Sequence, residues 1–184
     1  MKNFVYMVAD PLTRKAVLVD AAWDVASVLA LCKREGLEVV GNVVTHNHFD
    51  HVGGPPPDQF RQHVTEVCGA ASICRDVPAI KIYIGRADVS GVEGVPAENL
   101  VECDDGHVID LGGKVKLRLL ATPGHTMGSQ CLVVNDTAVV TGDTLFVGSC
   151  GRCVAAPSCS WLGLPCRYAT LQTPLLLLLL LRPH

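Results

Sequence analysis

Three observations predict an α/β fold for this 184-residue chain. The first half opens in the order strand, strand, helix, strand; the second half carries two further apolar strand pairs around short turns; and three separate strands end in histidine or aspartate. With 49% apolar and 18% charged residues, the composition is that of a globular protein able to bury a core, and the length suits one domain.

Phe4 to Ala9 and Lys15 to Asp20, rich in Val, Tyr and Phe, form a hairpin around Asp10-Pro11-Leu12-Thr13. Val25, Val28, Leu29 and Cys32 recur at helical spacing, with Asp24 near the start, where it favours the helix dipole, and Gly36 as the stop. Val39, Val40, Val43 and Val44 make the strand that runs into Thr45-His46-Asn47-His48-Phe49-Asp50-His51-Val52-Gly53-Gly54. Side chains alternate along extended chain, so His46 and His48 point to one side where the strand ends. The following turn brings Asp50 and His51 back, and Gly53-Gly54 permits a sharp exit.

Beyond Pro55-Pro56-Pro57, Asp58 is expected to cap a short helix carrying Phe60, Val64, Val67 and Cys68 up to Gly69. Ala70 to Pro78 is expected to be loop, Ile80 to Ile84 strand, and Arg86 to Asn99 mostly loop. His107 to Leu111 and Val115 to Ala121 form a hairpin about Gly112-Gly113 that ends in Thr122-Pro123-Gly124-His125-Thr126. A last pair, Cys131 to Val134 and Ala138 to Thr141, turns at Asn135-Asp136 and delivers Gly142-Asp143-Thr144.

A net charge of -3 with no run of lysine or arginine offers no footprint for nucleic acid or an anionic membrane, which leaves small molecules as the expected partners. The first ten residues lack the apolar stretch and cleavage site of a secretory signal, and nine widely spaced cysteines favour reduced thiols over a disulfide framework. The cytoplasm is the expected compartment.

His46, His48, Asp50 and His51 pack three imidazoles and a carboxylate into six residues, a set of nitrogen and oxygen ligands suited to zinc or non-haem iron and repulsive without a cation. His125 and Asp143 close two other strands, and one metal centre explains all three polar endings.

These three segments, together with Thr141-Gly142-Asp143-Thr144-Leu145-Phe146-Val147-Gly148-Ser149-Cys150-Gly151-Arg152, resemble the metallo-β-lactamase superfamily and, within it, glyoxalase II, the hydroxyacylglutathione hydrolases. The resemblance covers residues 3 to 153 and implies an αββα sandwich with metals at one edge of the paired sheets. It implies that His46, His48 and His125 hold one metal, that Asp50 and His51 hold a second, and that Asp143 bridges them. Zinc is the metal implied, two ions in the complete family site and one in this chain, and the reaction is thioester hydrolysis of an acyl-glutathione by metal-bound hydroxide. Asp50 and Asp143 are then the catalytic carboxylates, Asp50 orienting or deprotonating the nucleophile. The same residues also resemble persulfide dioxygenase, with one iron held by His46, His125 and Asp143.

The family's further Gly-His segment beyond the bridging aspartate has no counterpart, since His184, the only later histidine, lies in an unrelated Arg182-Pro183-His184 setting. From Val154 onward acidic residues and lysine vanish and the chain ends in Leu175 to Leu181, a run far shorter than the ~20 apolar residues that span a membrane. The expected organisation is therefore a partial metallo-β-lactamase-like domain over residues 1–153, truncated relative to the family, followed by an unstructured Leu-rich tail over 154–184 whose composition suggests intron-derived or frame-shifted sequence. A non-catalytic metal-binding fragment is the competing expectation to an enzyme. Cys150 and Cys153 have the spacing of a redox motif but not its helical setting, and are read as plain thiols, with Cys159 and Cys166 adding no zinc spacing. His63 and His107 are read as surface or cap residues, and Arg152 equally as an anion contact or a solvated arginine.

Overall fold

The computed structural model describes residues 3–62 and 67–153. The predicted opening hairpin is β1 (Tyr6–Ala9) and β2 (Lys15–Val19), paired antiparallel. Asp10 stabilises its turn by accepting from the Leu12 and Thr13 amides at 2.8 and 3.0 Å, and also accepts from the Val115 amide at 2.7 Å, so one buried carboxylate ties this hairpin to a later one. Helix α1 (Val25–Arg34) starts at Asp24, whose side chain accepts from the Ser27 amide, and β3 (Glu38–Val44) returns parallel to β2.

After the histidine cluster come a helical turn α2 (Phe49–Val52), the two-residue β4 (Gly53–Gly54), a 3-10 turn at Asp58–Phe60, and β5 (Val67–Gly69), which pairs with β4. Helix α3 (Ala70–Asp76) leads to β6 (Lys81–Gly85), parallel to β3, and a 3-10 stretch at Arg86–Gly91 precedes β7 (Leu100–Cys103), parallel to β6. The chain then runs as an antiparallel meander, β8 (Val108–Asp110), β9 (Lys116–Ala121), β10 (Gln130–Val134) and β11 (Ala138–Val140), before a 3-10 turn at Gly142–Thr144. The first sheet has the order β1-β2-β3-β6-β7 and the second β11-β10-β9-β8.

Alternation along β2 decides how these layers stack. Ala16 and Leu18 face the side where Val25, Val28 and Cys32 of α1 and Ala70, Ile73 and Cys74 of α3 are buried. Val17 and Val19 face the other side, against Leu117, Leu119, Leu132, Val134 and Val140 of the second sheet. A strand buried on both faces reads as an unbroken apolar run, as Ala16-Val17-Leu18-Val19 does. Each fully buried Val, Leu or Ile contributes roughly 1.5–3 kcal/mol against exposure. The described residues thus supply one helical layer and two sheets of the expected sandwich; no side chain of α1 or α3 enters the cluster between the sheets.

The segment from 58 to 78 departs from expectation. Asp58 opens only a single 3-10 turn and makes an ion pair with Arg61 rather than a cap; Val67–Gly69 is strand, not helix; and the expected loop after Gly69 contains α3. Ala70, Ile73 and Cys74 place an apolar i, i+3, i+4 stripe against the first sheet, and that burial outweighs the lack of a capping side chain. Strand β7 was not foreseen, because the Gly- and Pro-rich stretch before it masks a run of only four residues. His63, Val64, Cys159, Cys166, His184 and the Leu175–Leu181 run lie outside the described residues. Among the described residues no helix is long and apolar enough to cross a membrane.

Candidate metal centre

Parallel pairing brings the C-terminal ends of β2 and β3 to one edge of the first sheet, and β10 of the second sheet meets them there. The Gln130 amide donates to the Thr45 carbonyl and the Gln130 side chain to the Val44 carbonyl, both at 2.9 Å. Through this joint the loop after β9, which carries His125, and the turn after β11, which carries Asp143, come to lie over the histidine cluster. Gly142, at φ +48°, lets that turn pass against the Thr45 side chain, where a Cβ would collide.

Five of the six foreseen residues converge. His46 Nε2 is 3.0 Å from His48 Nδ1, which is 2.9 Å from His125 Nε2. His51 Nε2 lies 3.3 Å from Asp143 Oδ1, and the other Asp143 oxygen is 3.5 Å from His125 Nε2, so Asp143 spans both groups. Donor atoms of His46, His48 and His125, and of His46, His51 and Asp143, each fall within 4.8 Å of one another. Asp50 stands farther out, its Oδ2 3.8 Å from His51 Nε2.

Partners behind the rings settle which nitrogens are bare. Thr45 donates its hydroxyl to Asp20 Oδ2 at 2.8 Å, so its oxygen is left to accept from His46 Nδ1 at 3.1 Å, and His46 Nε2 carries a lone pair. His125 Nδ1 donates to the Arg152 carbonyl at 2.8 Å, which likewise leaves its Nε2 bare. Two lone pairs therefore face His48 Nδ1, which has at most one proton to give. A donor set this short of protons fits a cation, and the Thr45 hydroxyl behind His46, the Asp20 carboxylate behind His51 and the Arg152 carbonyl behind His125 are the kind of support that metal-binding imidazoles use.

For His46 and His48, electrostatics agree with that count. Burial, followed by the charges of the neighbouring imidazoles, lowers His46 to about 2, and His48 is lowered by burial and by His125. For His51 burial acts the same way, but Asp20 and Asp143 outweigh it and raise the ring to about 10. Burial opposes ionisation of Asp143, yet the bond and charge of His51 hold its carboxyl below the usual range.

The sequence reading missed the residues that position these donors. Asp20, buried at the end of β2, accepts from His51 Nδ1 at 2.8 Å and from the Thr45 amide at 2.7 Å. Asn3 donates to Asp50 Oδ2 at 2.8 Å and lies 3.1 Å from His51 Nε2, while Trp23 Nε1 donates to the Asp50 carbonyl at 3.2 Å. Asp88, also buried, accepts from the Asn47 and Gly128 amides and the Thr126 hydroxyl at 3.0, 2.8 and 2.6 Å, pinning the His125 loop to the cluster. Only Asp20 left a signal, as a further acidic ending to an apolar strand.

His48, Asp50, His125 and Asp143 open into a cleft of about 590 Å³ walled by Phe49, Phe60 and Phe146 and by Cys150 and Arg152. A larger groove of about 680 Å³ beside α1 contains no histidine.

The profile of the metallo-beta-lactamase superfamily matches residues 2–183, so the chain belongs to this superfamily of metal-dependent hydrolases. It is 32% identical over 156 residues to a cytoplasmic hydroxyacylglutathione hydrolase of Arabidopsis thaliana, covering 82% of this chain and 52% of the relative. It is 27% identical over 151 residues to the probable polyketide biosynthesis zinc-dependent hydrolase PksB of Bacillus subtilis, covering 82% of this chain and 59% of the relative. The crystal structure of ETHE1 from Myxococcus xanthus superposes with a TM-score of 0.59 at 25% identity over 83% of this chain and 61% of that one. The chain thus spans little more than half the length of the curated relatives it matches.

Proposed function

We propose that this chain carries the metal centre of a hydrolase for small thioesters, an acyl-glutathione being the substrate class and zinc the metal. The observation that carries the reading is the convergence of imidazole nitrogens of His46, His48 and His125, with Asp143 3.5 Å from His125, beside an aromatic-walled cleft. The hydroxyacylglutathione hydrolase relative supports the thioester, the zinc-dependent relative supports the metal, and the relative named cytoplasmic supports that compartment.

A bound cation supplies polarisation of the thioester carbonyl and lowers the pKa of water from 15.7 toward ~7. The protein's own part is positional. Asp20 and Thr45 hold His51 and His46 in register, and the Arg152 carbonyl holds His125. Asp143 reaches both donor groups and would be shared between metals held there, with His51 and Asp50 forming the outer group. Asp50, fixed by Asn3 and Trp23 at the cleft, orients the attacking water and accepts its proton. Phe49, Phe60 and Phe146 give the acyl chain an apolar wall. Residues 1–153 constitute the metal-binding domain and 154–184 the Leu-rich tail; neither nucleic acid nor a membrane has a role in this reading.

A second reading rests on Asp143 lying 3.5 Å from His125, which makes His46, His125 and Asp143 a two-histidine, one-carboxylate set suited to iron and a persulfide dioxygenase. Purified chain loaded with zinc or with ferrous iron separates them. Release of free thiol from an acyl-glutathione by the zinc form, lost in Asp50→Ala, is the expected result. Oxygen uptake with a persulfide by the iron form alone would favour the dioxygenase, and bound metal without turnover of either substrate would leave a non-catalytic metal-binding fragment.

A further inference from the structure

The segment Cys150-Gly151-Arg152-Cys153 crosses the mouth of the site without a turn or a bend and grips it at two points. The Gly151 amide donates to the Asp143 carbonyl at 2.8 Å, and the Arg152 carbonyl accepts from His125 Nδ1 at 2.8 Å. Gly151 lies so close to the His125 ring and to Asp143 that a Cβ there would collide with both, so the clasp depends on this backbone path. Cys150 lines the cleft, a Cβ on Gly124 of the His125 loop would lie 3.9 Å from Cys153 Sγ, and both thiols are exposed and, among the described residues, free.

We propose that Cys150 and Cys153 are a thiol pair through which a low-molecular-weight disulfide opens this clasp and loosens metal held at His125. One protein thiolate attacks the reagent's S–S bond and releases one small thiol; the second protein thiolate displaces the other, forming the Cys150–Cys153 bond, so the protein loses two protons and two electrons and the reagent gains them. A disulfide requires Cα atoms roughly 4.4–6.8 Å apart, whereas four residues of chain without a bend span more, at ~3.3 Å per residue. Closing the bond must therefore draw the segment into a turn, which takes the Gly151 amide and the Arg152 carbonyl off their partners. Loss of such a support behind a ligating imidazole weakens metal binding by roughly 10–100-fold.

The inference rests on the metal-site reading above, and its test keeps the two apart. Full-length chain, reduced and then equilibrated with glutathione disulfide, is mapped by peptide mass for the loss of two hydrogens within residues 150–153; zinc retention is read in parallel with a chromophoric chelator. The expected result is a Cys150–Cys153 bond and zinc released at least roughly tenfold more readily than from reduced chain, with the zinc retention of Cys153→Ser and Cys153→Ala chains unchanged by the oxidant. A bond with unchanged zinc retention, a pairing of either cysteine elsewhere, or mixed disulfides alone overturns the proposal. Reduced chain that binds no zinc at all overturns the metal-site reading instead, while the peptide map still decides whether the pair forms.

Discussion

At the scale of single residues, the site depends on groups behind the ligands as much as on the ligands. Asp20 supports His51 directly and His46 through Thr45, so Asp20→Asn is expected to weaken metal retention by roughly 10–100-fold while leaving the fold intact; zinc competition with a chelator measures it, and unchanged affinity contradicts it. The same groups set the pH response of the metal-free chain. His51, raised from 6.5 to about 10, contributes stability that is complete below 6.5 and lost as pH rises through about 10. His46, lowered to about 2, contributes stability present above 6.5 and lost as pH falls toward about 2. Denaturant titrations of the metal-free chain should therefore show highest stability near neutrality, with the alkaline limb reduced in Asp20→Asn, and a limb of equal size in both chains would tell against this account.

At the scale of elements, the joint between the sheets and the loops over it are open to direct test. Asp88 receives three hydrogen bonds that hold the His125 loop beside Asn47, so Asp88→Ala should cost about 1–3 kcal/mol of stability and lower metal affinity; denaturation and chelator competition read the two effects separately. Asn42 makes the opposite case. It lies in the middle of β3 on the same face as Val44, fully buried, and its side-chain oxygen and nitrogen find no hydrogen-bond partner among the described residues. Asn42→Val should raise stability by about 1–2 kcal/mol, and a lower unfolding midpoint would contradict it. What was legible in the sequence follows from the same local physics. The hairpins, α1 and β3 carry their period and their turns within a few residues, and His46 to His51 announce themselves by density. Helix α3 and strand β7 do not, because α3 shows a single i, i+3, i+4 set and β7 only four residues; α3 is fixed by packing on the first sheet and β7 by pairing with β6 within it. Asp20, Asn3 and Asp88 could not be assigned because their partners lie 25 or more residues away.

At the scale of the whole molecule, two apolar layers meet along the first sheet, one facing α1 and α3 and one facing the second sheet, and the polar strand ends gather where the two sheets touch. Members of this superfamily bind metal ions, and His46, His48, His125 and Asp143 gather at that edge, while the relatives extend well beyond the length matched here. The central claim is that these residues alone suffice to hold a metal. Zinc per chain after exhaustive dialysis, measured by elemental analysis on the wild-type chain and on His46→Ala, tests it most directly. The account predicts at least one zinc per wild-type chain and its loss in His46→Ala with the circular dichroism spectrum unchanged; wild-type chain that retains no zinc, or His46→Ala that retains as much, would contradict it.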